Sequence, residues 1–336
     1  MSNWDWCDNS RAKLTAFLAC NGLMDGAPAI TPIGDGHSNL TYRLVLGDRS
    51  LVLRRPPPPP LAPGVNDVLR EARVLTALWG TGVAVPHVVA TGQAGDVFDV
   101  PFYLMEHVEG IVITGSAPEI FASPEAAREL GEAFVDGLIQ LHRVDPMAVG
   151  LNDFGRPEGF NARHLKRIAG IVTEAGAVRD EFAEIHGWLA ANVPAETGAT
   201  IIHNDFRLGN VMWKNQRPAT LAAVLDWELA ALGDPMMDFA YLLGSLPEGG
   251  QSNTPVQDFA RDAYVPGFPP RAELVARYAA ALPYDTSSLD WFMAFVQWKL
   301  AILYDFSRRR GADPYYRDPT QVSRLLAEAR RFTGLG

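Results

Sequence analysis

The sequence predicts an α+β fold in two lobes: a small N-terminal antiparallel sheet with one helix, and a larger, mainly helical C-terminal lobe. Two observations carry this. Residues 30–107 read as short apolar strands separated by turn residues, interrupted once by a stretch at helical spacing. Residues 111–336 are dominated by amphipathic helical patterns, broken at 201–228 by short apolar runs between polar turns. A chain of 336 residues is long enough for two such units, each with its own core. The expected division is 1–110, with a leading helix within 1–25, and 111–336.

Along the first lobe, residues 9–20 place Leu14, Phe17 and Leu18 on one helical face, and Gly22 ends the pattern. The run Ile30–Ile33 leads to Gly34-Asp-Gly-His-Ser-Asn39, and Leu40–Leu46 alternates as a strand does. Gly47-Asp48 supplies a turn and Ser50–Arg54 returns. Five prolines, Pro56–Pro60, cannot continue a sheet and form a stiff connector. Val68, Leu69, Ala72, Leu75 and Leu78 fall on one face of a helix over 66–79. Further strands are expected near 87–93 and 102–107, and residues 111–123 join the lobes. In the second lobe, helices are expected at 124–142, 160–176, 179–192, 234–246, 271–282, 286–308 and 319–332.

Composition excludes several classes. The apolar content of 48% and charged content of 20% are those of an ordinary globular protein. A net charge of −10 argues against a nucleic-acid binder, which needs a basic face. No apolar run reaches the length of a bilayer span, and the N-terminus has neither a basic leader nor an apolar signal core. The expectation is a cytoplasmic protein, monomer or homodimer, with no membrane or nucleic-acid partner. Cys7 and Cys20 match no metal or redox spacing and read as ordinary thiols.

The chemistry concentrates in 201–228. Ile201-Ile202 precedes His203-Asn-Asp-Phe-Arg-Leu-Gly-Asn210, and Ala222–Leu225 leads to Asp226-Trp-Glu228. Two apolar strands thus bracket a polar loop, with a carboxylate at the exit of the second. Phosphoryl transfer needs a group to receive a hydroxyl proton and oxygen ligands for Mg²⁺. Asp205 can do the first; Asn210 and Asp226 can do the second. On an extended segment Glu228 would face the same side as Asp226, as a second metal ligand or substrate contact. Arg207, two residues past Asp205, can neutralise phosphoryl charge in the transition state.

The ordered pattern His-x-Asp-x-x-x-x-Asn, then Leu-Asp-Trp-Glu, then Gly233-Asp-Pro-Met-Met-Asp-Phe-Ala240, resembles the aminoglycoside phosphotransferase and choline kinase group. That group shares the protein-kinase fold. Gly36-His-Ser-Asn-Leu-Thr-Tyr42 and Val52-Leu-Arg-Arg-Pro-Pro57 resemble the branch also found fused to acyl-CoA dehydrogenases, the first with one residue fewer before the serine. The resemblance runs from about residue 28 to about 330.

The resemblance implies ATP and Mg²⁺ as cofactors and a small-molecule hydroxyl acceptor. It places Gly36, Ser38 and Asn39 over the ATP phosphates. It also puts Arg54 at the third-strand position where most relatives use lysine, and gives it Glu71 as partner. Adjacent strand residues face opposite ways, so only one of Arg54 and Arg55 can serve the nucleotide. The backbone of Glu106 and Val108 would hold adenine, with Met105 lining its pocket. His203 and Asp238 read as braces of the loop. His142 ends a helix, where its charge suits the dipole, and is left out of the site.

The acceptor is read from the C-terminal helices. Trp291, Phe292, Phe295, Trp298, Tyr304 and Phe306 read mostly as core, with some lining an apolar cleft if any are exposed to it. Arg308-Arg-Arg310 is either a solvated helix end or an anion contact, for instance to a CoA phosphate. Carboxylates that would suit a polycationic aminoglycoside are scattered: Glu248, Asp258, Asp262 and Asp285. A hydroxyacyl-CoA is therefore the first reading of the acceptor, and an amino-sugar or amino-alcohol the second. A nucleotide-binding pseudokinase is the alternative prompted by Arg54. A protein kinase is disfavoured, because no long activation segment follows Asp226.

Overall fold

The structure is a computed structural model that describes residues 6–24, 27–34, 39–61, 66–174, 180–247, 253–311 and 313–335, without the side chains of 172–174, 260 and 262. It divides into two compact units: Met1–Glu109 with Ala223–Glu228, and Gly110–Ala222 with Leu229–Gly336. The segment Ala223–Glu228, read from sequence as part of the second lobe, thus groups with the first unit.

The first unit is α1 (Asp8–Cys20), β1 (Ala29–Pro32), β2 (Leu40–Leu46), β3 (Arg49–Arg55), α2 (Val68–Leu78), β4 (Val88–Gly92) and β5 (Phe102–Glu106). The strands form one antiparallel sheet in the order β1-β2-β3-β5-β4. Alternation decides its two faces. Tyr42, Leu44 and Leu46 of β2, Leu51 and Leu53 of β3, and Phe102 and Leu104 of β5 bury into one cluster with Leu14 and Leu18, one turn apart on α1. Each fully buried leucine contributes roughly 2 kcal/mol of transfer free energy. Pro32 is tolerated because β1 is an edge strand that needs no further ladder bond. The helix α2 packs on β4 and β5 and buries Val68, Ala72, Val74, Leu75 and Leu78. The Asp67 side chain accepts from the Arg70 N–H and so caps its start.

The second unit holds β6 (Ile111–Val112), α3 (Pro124–His142), α4 (Phe160–Glu174), α5 (Asp180–Ala191), β7 (Thr200–Ile202) and β8 (Val211–Trp213). The strand β9 (Leu221–Val224) ends in residues of the first unit. The second unit continues with β10 (Ala231–Gly233), α6 (Pro235–Gly244), α7 (Pro255–Ala260), α8 (Arg271–Ala281), α9 (Leu289–Arg310) and α10 (Thr320–Arg331). The 22-residue α9 is its spine: α4, α5, α6 and α10 all pack on it, and Trp291, Phe292, Phe295 and Trp298 are buried there as core. Gly311, with a positive φ of 65°, ends it. Among these elements β6, α7 and β10 were not read from the sequence. The two strands are too short to show alternation. The signal for α7 was present: Thr254 and Gln257 form a reciprocal cap around a proline start.

Candidate active site

In the first unit, β3 and α2 converge on one guanidinium. Arg54 donates from Nε to Glu71 Oε2 at 2.9 Å and from Nη2 to Asp226 Oδ1 at 2.6 Å, with Glu228 Oε2 at 4.0 Å. Strand alternation sends its neighbour the other way: Arg55 lies on the α1 side, its guanidinium 4.7 Å from the Phe98 ring and 5.8 Å from Tyr42. Burial pushes the Glu71 carboxyl up, to about 7, against the pull of Arg54. Burial works against the charge on Arg54, but Glu71 above all, with Tyr103, Asp226 and Glu228 behind it, holds it firmly protonated.

The premise that placed Glu228 beside Asp226 needs correction. The segment is not extended: Asp226 takes a positive φ of 65°, and Trp227–Leu229 form a 3₁₀ turn, fixed by the Trp227 indole donating to the Val224 carbonyl. Both carboxylates nevertheless reach Arg54. Asn39 is buried; it donates to Glu228 at 3.3 Å and accepts from Asn66 at 3.0 Å, so its amide is engaged within the protein. Gly36 and Ser38 lie outside the described residues. Met105, Glu106 and Val108 are half-buried at the end of β5. The Glu106 N–H is taken by the His87 carbonyl at 2.8 Å.

In the second unit, the loop between β7 and β8 is held from behind. Asp238, fully buried on α6, accepts the backbone N–H groups of His203 and Asn204, each at 2.5 Å. It also faces His142 Nε2 at 3.4 Å, and His142 Nδ1 lies 2.7 Å from the Tyr278 hydroxyl. His142, set aside on sequence grounds as a helix end, is therefore a buried part of the brace. Asn204 carries the turn with a positive φ of 67°, a backbone that asparagine tolerates better than most residues. The Asp205 N–H then donates to His203 Nδ1 at 3.2 Å.

At the front of the loop, Asn210 Nδ2 donates to the Asp205 carboxylate at 2.6 Å and to its carbonyl at 2.9 Å. The amide oxygen of Asn210 therefore faces away from that bond. Arg207 Nε lies 3.5 Å from Asp205 Oδ1. A Cβ on Gly209 would sit 2.4 Å from Arg207 Nη1, so glycine here makes room for the guanidinium. The carboxylate is about one-fifth exposed, accessible to a substrate while tethered on both sides.

Residues the sequence reading did not select surround Asp205. The Tyr241 hydroxyl of α6 sits against its carboxylate, and Lys299 of α9 stands 5.5 Å from the Tyr241 ring. Burial pulls the Lys299 ammonium down, to about 8, while Asp205 and Asp238 act in the opposite sense. The signal for Lys299 was a lone charge within the apolar run Phe295–Ile302. Arg207 also stacks 5.5 Å over Phe259, which packs on Tyr315, and both rings are more than one-third exposed. The Arg308 and Arg309 side chains both pair with Asp305, at 2.8 and 2.6 Å, and Arg310 lies over Phe306. Asp258 pairs with Arg324, and Asp285 binds Ser287. Glu248 and the Asp262 side chain lie outside the described residues.

A five-stranded antiparallel sheet whose third strand pairs with a helix glutamate, and a helical unit presenting an Asp–Asn loop, define the protein-kinase-like class. The chain belongs to the phosphotransferase enzyme family, whose model matches residues 29–292. It is 32% identical over 280 residues to acyl-CoA dehydrogenase family member 10 of Mus musculus, covering 80% of this chain and 25% of that protein. It is also 32% identical over 291 residues to acyl-CoA dehydrogenase family member 11 of Gallus gallus, covering 82% and 36%. The chain thus spans about a quarter to a third of the curated relatives it matches. A crystal structure from Ralstonia eutropha, provisionally described as an aminoglycoside phosphotransferase, superposes with a TM-score of 0.81 at 26% identity over 96% of this chain and 98% of that one. Among the described residues no helix is long and apolar enough to cross a membrane.

Proposed function

We propose that this protein transfers the γ-phosphoryl group of ATP to a hydroxyl of a small, partly apolar metabolite, a hydroxyacyl-CoA being the favoured acceptor. The carrying observation is Asp205, tethered by Asn210 at 2.6 Å and flanked by Arg207 at 3.5 Å. Asp205 accepts the proton of the acceptor hydroxyl as its oxygen attacks the γ-phosphorus and the bond to ADP breaks. Arg207 offsets the charge on the transferring group. Arg54, held by Glu71, contacts the ATP phosphates, and the end of β5 holds adenine through the Glu106 carbonyl, the Val108 backbone and the Met105 side chain. The family resemblance assigns Gly36 and Ser38 to the ATP phosphates as well.

The donor chemistry suits magnesium: Asp226 and Glu228 offer carboxylates and Asn210 an amide oxygen, all hard ligands. These three would hold the ion, which supplies charge neutralisation at the phosphates. The apolar body of the acceptor is supported by the exposed Phe259 and Tyr315 rings beside Arg207. Its CoA portion is supported by the likeness to proteins named acyl-CoA dehydrogenase family members. An aminoglycoside finds less support, since Asp258 is already paired with Arg324. The Arg308–Arg310 run lends the CoA phosphates none, since two of its members are spent on Asp305.

A second reading, nucleotide binding without turnover, is favoured by one observation: Arg54 occupies the Asp226 carboxylate at 2.6 Å. One experiment separates the two. Purified protein with ATP and Mg²⁺ is offered hydroxyacyl-CoAs, amino-alcohols and aminoglycosides, and ADP release is measured beside ATP binding. Stimulation by hydroxyacyl-CoAs alone, abolished in Asp205→Asn with ATP binding retained, is the expected result. ATP binding with no acceptor stimulating release supports the second reading.

A further inference from the structure

The mechanism above leaves one buried cation unused. Lys299 lies on the apolar spine α9 and is 7% exposed, yet among the described residues its ammonium makes no hydrogen bond and no ion pair. Its surroundings are those of the proposed base. The Tyr241 ring stands 5.5 Å away, and the Tyr241 hydroxyl sits against Asp205. Asp205 and Asp238 attract it, whereas Arg167 repels it. His164, itself buried, faces it as well and is held neutral by burial and by the two cations.

An ammonium on so apolar a helix, with one aromatic face as its recorded contact, is costly, and a leucine or methionine would fill the same space in α9 at no such cost. Packing alone therefore does not account for a lysine here. The group has three donors, no oxygen acceptor among the described residues, and a tyrosine linking it to the carboxylate that receives the substrate hydroxyl.

We propose that Lys299 is the acceptor-recognition residue: its ammonium binds a carbonyl or carboxylate oxygen carried a few bonds from the hydroxyl, while Tyr241 keeps that hydroxyl at Asp205. This rests on Asp205 as the base. The acceptor is then a hydroxy acid or its thioester rather than a plain alcohol. A ligand oxygen satisfies the buried donors, and an acceptor lacking it leaves them unpaired, which is how buried polar groups discriminate most strongly.

The test uses the full chain with three matched probes: 3-hydroxydecanoate, its CoA thioester, and 1,3-decanediol, which has the hydroxyl but no carbonyl. Wild type, Lys299→Met and Lys299→Arg are compared by ADP release, with ATP affinity measured separately. At least one carbonyl compound should stimulate release, and the diol should be far poorer. Lys299→Met should raise KM for the carbonyl acceptor about 10- to 100-fold, as expected for a lost charged hydrogen bond, with ATP affinity unchanged; Lys299→Arg should recover part of it. A larger loss with the free acid assigns a carboxylate, and a larger loss with the thioester assigns a neutral carbonyl. The proposal is overturned if neither carbonyl compound stimulates release, if the diol serves equally well, or if Lys299→Met leaves KM unchanged. Turnover surviving in Asp205→Asn while Lys299→Met still raises KM would instead remove Asp205 as base and leave the oxygen subsite standing.

Discussion

Arg54 and Glu71 form a buried ion pair at 2.9 Å, in which the glutamate is almost completely enclosed and the arginine has a second carboxylate, Asp226, at 2.6 Å. The pair ties β3 to α2. Breaking it from one side strands a carboxylate in the sheet–helix interface. Arg54→Met should destabilise the protein by about 3 to 5 kcal/mol, more at pH 8 than at pH 6, because protonation of Glu71 relieves the stranded charge. Arg54→Met with Glu71→Leu should recover most of the loss. Urea denaturation of the three proteins checks this; equal stability of the single variant and wild type would contradict it.

Asp238 accepts two backbone N–H groups of the Asp205 loop and faces buried His142. Asp238→Ala leaves all three without an acceptor and should cost about 3 kcal/mol or more. Asp238→Asn keeps one oxygen and should fall between. Denaturation midpoints and turnover should drop together, since the same bonds set loop geometry and stability.

Gly209 has no Cβ where one would meet Arg207. Gly209→Ala should displace the guanidinium and lower kcat about 10- to 100-fold, matching Arg207→Ala, with little change in melting temperature. Steady-state kinetics of the two variants, side by side, give the comparison. A Gly209→Ala enzyme at wild-type rate would release Arg207 from its assigned role.

Lys299 titrates near 8 in the folded protein and near 10.5 when unfolded. Between those values the unfolded chain binds more protons, so this group's contribution to stability rises with pH and is lost as pH falls through 8. Lys299→Met should therefore be more stable than wild type at pH 7.5, and the gap should narrow by about 2 kcal/mol at pH 10. A gap independent of pH would show that the lysine titrates normally.

The sequence made the sheet, α2 and the long helices legible because apolar spacing dictates them. The loop carrying Asp205 and Asn210 was legible because its chemistry needs fixed residue types at fixed spacing. Three things were hidden. Asn39 carries a side chain with several capable partners, and only packing reveals that it serves Glu228 and Asn66. His142 looked like a helix end because its partners, Asp238 and Tyr278, are 96 and 136 residues away in sequence. Lys299 and Tyr241 belong to helices whose pattern says core, and their relation to Asp205 arises only when α6 and α9 pack together.

The consecutive pair Arg54 and Arg55 sets a rule about mutational frame. One strand hands one guanidinium to carboxylates and the next to aromatic rings, on opposite faces. Substitutions elsewhere in β3 alter one face at a time. A single-residue deletion upstream of Arg54 shifts the strand by one: Arg54 takes the slot of Leu53 among Leu14, Leu44 and Phe102, Arg55 takes the slot facing Glu71, and Pro56 falls where Arg55 lay over the rings. Length polymorphism should therefore be absent from β3 in functional variants and confined to the proline run that follows it.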